Sequence, residues 1–77
     1  MSADELRDEV VEQLNDVEFI YNGKPSGISP EFHNSIPVYY IWYGNEDKEH
    51  SDIDEAMSDK FFGGKSLSEI SEIVKYT

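Results

Sequence analysis

Cysteine is absent from the 77 residues, so no disulfide staples the chain and no thiolate can ligate zinc. A domain this short sits near the lower limit for a single unaided core, with stability of about 4–12 kcal/mol. The core must suffice alone, or be shared with a second copy in a homodimer. Basic residues are scarce, six Lys and Arg against 17 Asp and Glu. Nucleic-acid binding depends on Lys and Arg displacing counterions, so direct DNA or RNA binding is not expected, and anionic membranes are disfavoured for the same reason. Long apolar runs are missing and the mean hydropathy is −0.61. The first twenty residues lack the basic start and apolar stretch of a secretion signal, and no segment reaches the length of a membrane span. The expected location is the cytoplasm.

What is present is an uneven distribution of charge. Met1 to Glu18 carries Asp4, Glu5, Asp8, Glu9, Glu12, Asp16 and Glu18 against Arg7 alone. Asn45 to Asp59 carries Glu46, Asp47, Glu49, Asp52, Asp54, Glu55 and Asp59 against Lys48. The rest of the chain is close to neutral. Most of the ten aromatic residues lie between the two acidic blocks. Two acidic surfaces flanking an aromatic sheet are expected, and they bear on partners more than on chemistry.

Ser2 to Asn15 reads as a helix: Ser2 and Glu5 have capping-box spacing, and Leu6, Val10 and Leu14 form one apolar stripe. Asp4, Asp8 and Glu12 fall on another face. Val17 to Asn22 alternates as a strand, and Asn22-Gly23 is a hairpin turn because both positions tolerate positive φ. Lys24 to Ser29 is a short returning strand weakened by Pro25, and Pro30 to Ser35 is a loop. Ile36 to Tyr43 is the clearest strand, with Ile36, Val38, Tyr40 and Trp42 on one face and Pro37, Tyr39, Ile41 and Tyr43 on the other. Ser51 opens a second helix with Asp54 in the capping-box position, and Gly63-Gly64 follows as its stop. Ser66 and Glu69 cap a third helix, with Leu67, Ile70, Ile73 and Val74 as its buried stripe. The expected class is α+β: a three-stranded antiparallel meander with one N-terminal and two C-terminal helices on one face, in the order α-β-β-β-α-α. It forms one domain over residues 1–77.

Candidate chemistry is thin. Gly63-Gly64-Lys65-Ser66 ends like a phosphate loop, but the first glycine of that pattern falls on Asp59 and no buried strand precedes it. Asn45, Asp47 and Glu49 alternate as in a calcium loop, yet His50 occupies the required glycine position and Ala56 the required glutamate. His33 and His50 fall in expected loops, and no G-x-S-x-G elbow is present. No catalytic residue, metal site or cofactor is assigned. The aromatic run is different: Tyr and Trp anchor protein interfaces because they bury much area with few rotors. Tyr39 and Tyr43, with Tyr21, are the expected partner-binding residues, and Asp4, Asp8 and Glu12 the acidic rim.

Tyr21-Asn22-Gly23-Lys24 with Gly27-Ile28, Trp42-Tyr43-Gly44, Asp54-Glu55-Ala56-Met57, and Phe62-Gly63-Gly64-Lys65-Ser66-Leu67 with Glu69-Ile70 resemble small uncharacterised proteins of Gram-positive bacterial and prophage genomes. The resemblance implies a small accessory or mobile-element protein with three strands, and it carries no activity. The expected function is a non-catalytic module binding a protein with a basic surface. The alternative is a nucleic-acid mimic, whose carboxylates occupy the phosphate positions expected by a DNA-acting protein.

Overall fold

A computed structural model describes all residues from Met1 to Thr77. The element order is α1 (Ala3–Val11), β1 (Val17–Tyr21), β2 (Lys24–His33), β3 (Ile36–Tyr43), β4 (Glu46–His50), α2 (Ile53–Ser58), α3 (Leu67–Ile70) and β5 (Lys75–Tyr76). The class is α+β with an antiparallel sheet, as expected, but the sheet has five strands in the order β4-β3-β2-β1-β5 rather than three.

The first helix starts where its capping box predicts. The Ser2 hydroxyl accepts from the Glu5 N–H at 3.1 Å and the Glu5 carboxylate accepts from the Ser2 N–H at 3.0 Å. It stops short of Asn15 because Leu14 turns left-handed at φ 56°, and the Asn15 amide donates to the Glu9 carboxylate at 2.8 Å. Leu14 is thereby exposed instead of completing the apolar stripe.

Two-residue turns join β1 to β4 into a meander. Asn22 and Gly23 both take positive φ, as a type I′ turn requires. The region expected as a loop from Pro30 to Ser35 is mostly strand. β2 runs on to His33 and reverses at Asn34-Ser35, where φ is 54° and 67°, the same turn made without glycine. Pro25 is accommodated because it stands opposite Ile20 of β1 just before the pairing of β2 with β3 begins at Ser26, and its carbonyl accepts from the Gly44 N–H at 2.8 Å.

The unexpected strands lie at the two sheet edges. β4, Glu-Asp-Lys-Glu-His, pairs with Tyr39–Tyr43 of β3 and lines its edge with charge, which discourages further strand addition. The expected third helix closes after Ile70, the chain turns through Ser71–Val74, and β5 follows. Tyr76 packs edge-on against Phe19 at 6.1 Å and its hydroxyl donates to the Ser71 carbonyl, drawing the tail onto β1. Ile73, expected on a buried stripe, is exposed. The second helix is capped by Asp52, which accepts from the Asp54 N–H at 2.7 Å, rather than by Ser51.

One core lies between the helices and one face of the sheet. Leu6, Val10, Ile53, Ala56, Met57, Leu67 and Ile70 come from the helices, and Val17, Phe19, Ile28, Tyr39, Ile41 and Tyr43 from the strands. Phe62, from the turn after α2, fills the centre against Phe19 at 5.7 Å and Tyr43 at 6.0 Å. Thus β3 is oriented opposite to expectation: Tyr39 and Tyr43 are 8% and 7% exposed and belong to the core.

Candidate interaction surface

The strand register fixes what the other side of the sheet presents. Glu18, Gly27, Trp42 and Asp47 lie side by side across β1, β2, β3 and β4. In the next row Ser29, Tyr40 and Glu49 are neighbours, and the Ser29 hydroxyl donates to Asp16 at 2.7 Å. Beyond them Val38 faces Glu31 and Ile36 faces His33. Side chains alternate along a strand, so Ile36, Val38, Tyr40 and Trp42 form a single apolar row on this face. None of them belongs to the core cluster, and Ile36 is 60% exposed.

Gly27 explains how the large indole lies down. A Cβ at Gly27 would stand 2.4 Å from Trp42 Cζ2 and 2.5 Å from the Val17 carbonyl oxygen, so the ring occupies space that any side chain would fill. Trp42 therefore lies across β2 with one broad side outward, half-buried. The Tyr40 ring has His33 at 6.2 Å between centroids. The Glu49 carboxylate opposite its hydroxyl pushes the Tyr40 phenol above the ordinary tyrosine value, with burial and Glu31 adding to the effect. Carboxylates flank the row on both sides, Asp16 and Glu18 along β1 and Asp47 and Glu49 along β4. Lys75 of β5, beside Ile20, is the one Lys or Arg that the strand register brings to this face.

No protein-family model, curated protein or solved structure matches this chain. Its surfaces must be read from their own chemistry.

The residues expected to bind a partner are divided by the fold. Tyr39, Tyr43 and half-buried Tyr21 are on the covered face, where Tyr21 and Tyr43 pack at 6.3 Å and the Asn22 amide donates to the Tyr43 hydroxyl at 3.1 Å. Their exposure is corrected: Tyr39 and Tyr43 belong to the core, Tyr43 under Phe62 of the turn after α2, and Tyr21 packs beside them. Asp4 and Asp8 on α1 and Glu12 at its C-terminal cap are exposed, and with Arg7 and Val11 they line a shallow depression of about 350 Å³. The tyrosines and these carboxylates do not converge.

Trp42 and Tyr40 take the place of Tyr39 and Tyr43. The register held the signal for this. Phe19 and Val17 alternate with Glu18, which turns Phe19 inward. Asn22-Gly23 then sets Val17 opposite Ile28, and a turn at Asn34-Ser35 sets Ile28 opposite Ile41. Reading Asn34-Ser35 as a turn assigns both faces of β3.

A second polar cluster also escapes sequence reasoning. His50 closes β4 rather than a loop, and its Nε2 lies 2.8 Å from Asp59 Oδ2, which also accepts from Lys48 Nζ at 2.8 Å. Glu55 stands 3.8 Å from His50 Nδ1. Lys48 first, and then His50, hold the Asp59 carboxyl below the usual carboxylate range. Asp59 follows the last residue of α2, so the cluster pins that helix end to the edge strand. No group of three or more His, Cys, Asp or Glu side chains is arranged to hold a metal ion. No helix is long and apolar enough to cross a membrane.

Proposed function

We propose that the protein is a non-catalytic binding module that takes a basic protein partner on the open face of its sheet. The observation that carries this reading is the row Ile36, Val38, Tyr40 and Trp42 lying between two lines of carboxylates. An aromatic row outside the core supplies apolar area and rigid anchors, the properties of interface hot spots. The flanking carboxylates, in a molecule of net charge −11, speed association with a cationic surface and repel an anionic one.

The test places a photo-crosslinking amino acid at Tyr40, and separately at Asp8 on α1, in the native host. The expected result is an adduct to a basic protein from position 40. That adduct disappears when Glu18, Asp47 and Glu49 are neutralised in a variant with an unchanged circular dichroism spectrum. Adducts from position 8 alone, or adducts indifferent to the carboxylates, refute the reading.

One observation favours the second reading, nucleic-acid mimicry. Arg7 and Asp54 meet at 3.1 Å, which draws carboxylates of both acidic blocks together on the helix layer. Mimicry predicts displacement of DNA from a DNA-acting protein, falling steeply with salt and abolished by neutralising Asp4, Asp8 and Glu12.

A further inference from the structure

We infer that the occupant of the open face is a cationic amphipathic α-helix lying along β3; this rests on the binding reading above and gives its partner a shape. Two dimensions support it. Glu18 and Asp47 occupy strands three spacings apart, about 14 Å, and a helix with its side chains is about 10–12 Å across. A helix laid on Trp42 and Tyr40 therefore brings residues on both of its flanks to a carboxylate. Along the strand, Ile36, Val38, Tyr40 and Trp42 follow one another at about 6.8 Å, close to the ~6 Å between residues four apart on a helix. The row spans about 20 Å, which matches about 14 helical residues.

The backbone selects a helix over a strand. Every strand under this face is already paired within the sheet, so an extended peptide laid across the face gains no ladder of hydrogen bonds. Its main chain would be desolvated without partners. A helix satisfies its own backbone and buries only a stripe of side chains, as the helices on the opposite face do. Charge selects against a second copy of this chain, because stacking two such faces would set Asp16, Glu18, Asp47 and Glu49 against their equivalents. It also selects against an acidic helix. The occupant thus has an apolar stripe and Lys or Arg on both shoulders.

Trp42 is the sole tryptophan and lies in the row, so its emission reports occupancy directly. The protein is titrated with four tryptophan-free synthetic peptides of about 16 residues. They are a Leu/Lys amphipathic helix, the same composition scrambled to destroy the stripe, an alternating Val/Lys extended peptide, and a Leu/Glu amphipathic helix. The expected result is a saturable blue shift with the Leu/Lys helix alone, and about tenfold weaker binding when Glu18→Gln, Asp47→Asn and Glu49→Gln are combined. If the scrambled peptide binds equally well, the contact is electrostatic only and the helix inference fails. If the extended peptide shifts Trp42 and the helix does not, the helix inference fails while the binding face stands. If no peptide shifts Trp42, or if the emission changes with protein concentration alone, both fail.

Discussion

Replacing Gly27 by alanine tests the packing that lays Trp42 flat. The added Cβ would stand 2.4 Å from Trp42 Cζ2, 2.8 Å from its Cη2 and 2.5 Å from the Val17 carbonyl oxygen. The indole can slide, but the carbonyl belongs to the backbone of the neighbouring strand and cannot rotate away. Overpacking of this kind costs about 1–3 kcal/mol. Alanine returns about 0.5–1 kcal/mol by reducing the freedom of the unfolded chain. The clash wins, because relieving it means moving β1 away from β2 at the centre of the sheet. A net loss of about 1–2 kcal/mol lowers the melting temperature by roughly 4–16 °C for a domain of this size. Thermal unfolding followed by circular dichroism measures the loss, and the Trp42 emission of the folded variant should move to the red as the ring lifts. A melting temperature equal to or above that of the parent would refute the reasoning, since it would mean that nothing occupies the space beside Gly27.

Tyr43→Ala should cost about 3–5 kcal/mol, as for a buried aromatic, whereas Tyr43→Phe should lose only the bond from Asn22, about 0.5–1.5 kcal/mol; chemical denaturation distinguishes them. Ser35→Gly should stabilise by about 1 kcal/mol by relieving a left-handed backbone at the β2–β3 turn, and no gain in melting temperature would contradict the turn assignment. Lys60, then the Ser66 N–H, hold the Glu69 carboxyl down at about 2. Because the folded value is depressed, this contribution is present above pH 4.5 and is lost as the pH falls towards 2, so Glu69→Gln should flatten the acid limb of the stability profile. Burial, and secondarily Glu5, push the Tyr76 phenol up to about 12. Its contribution is whole below pH 10 and is lost as the pH rises towards 12. Spectrophotometric titration of tyrosinate should lose its latest-ionising component in Tyr76→Phe.

Local signals made part of this fold legible. The Ser2/Glu5 and Ser66/Glu69 caps, the Asn22-Gly23 turn and the alternation from Ile36 to Tyr43 each depend on neighbours within a few residues. β4 was not legible, because Glu-Asp-Lys-Glu-His carries no apolar alternation. Its conformation comes from pairing with β3 and from Lys48 and His50 gripping Asp59. β5 is likewise tertiary, held by Tyr76 against Phe19. The site was half legible. An aromatic sheet face with acidic margins follows from composition, but both faces of β3 are apolar, and alternation alone cannot say which turns inward. That choice depends on a turn at Asn34-Ser35, which lacks the glycine that normally announces such a turn.

The orientation of β3 underlies every functional statement, and Trp42 reports on it through collisional quenching. With the indole half-exposed between Asp16, Glu18, Asp47 and Glu49, acrylamide should quench its emission readily, and caesium should quench far better than iodide, because the carboxylates attract the cation and repel the anion. Added inert salt should narrow that difference. A blue-shifted emission resistant to all three quenchers would put Trp42 in the core and Tyr39 and Tyr43 outside, contradicting the account.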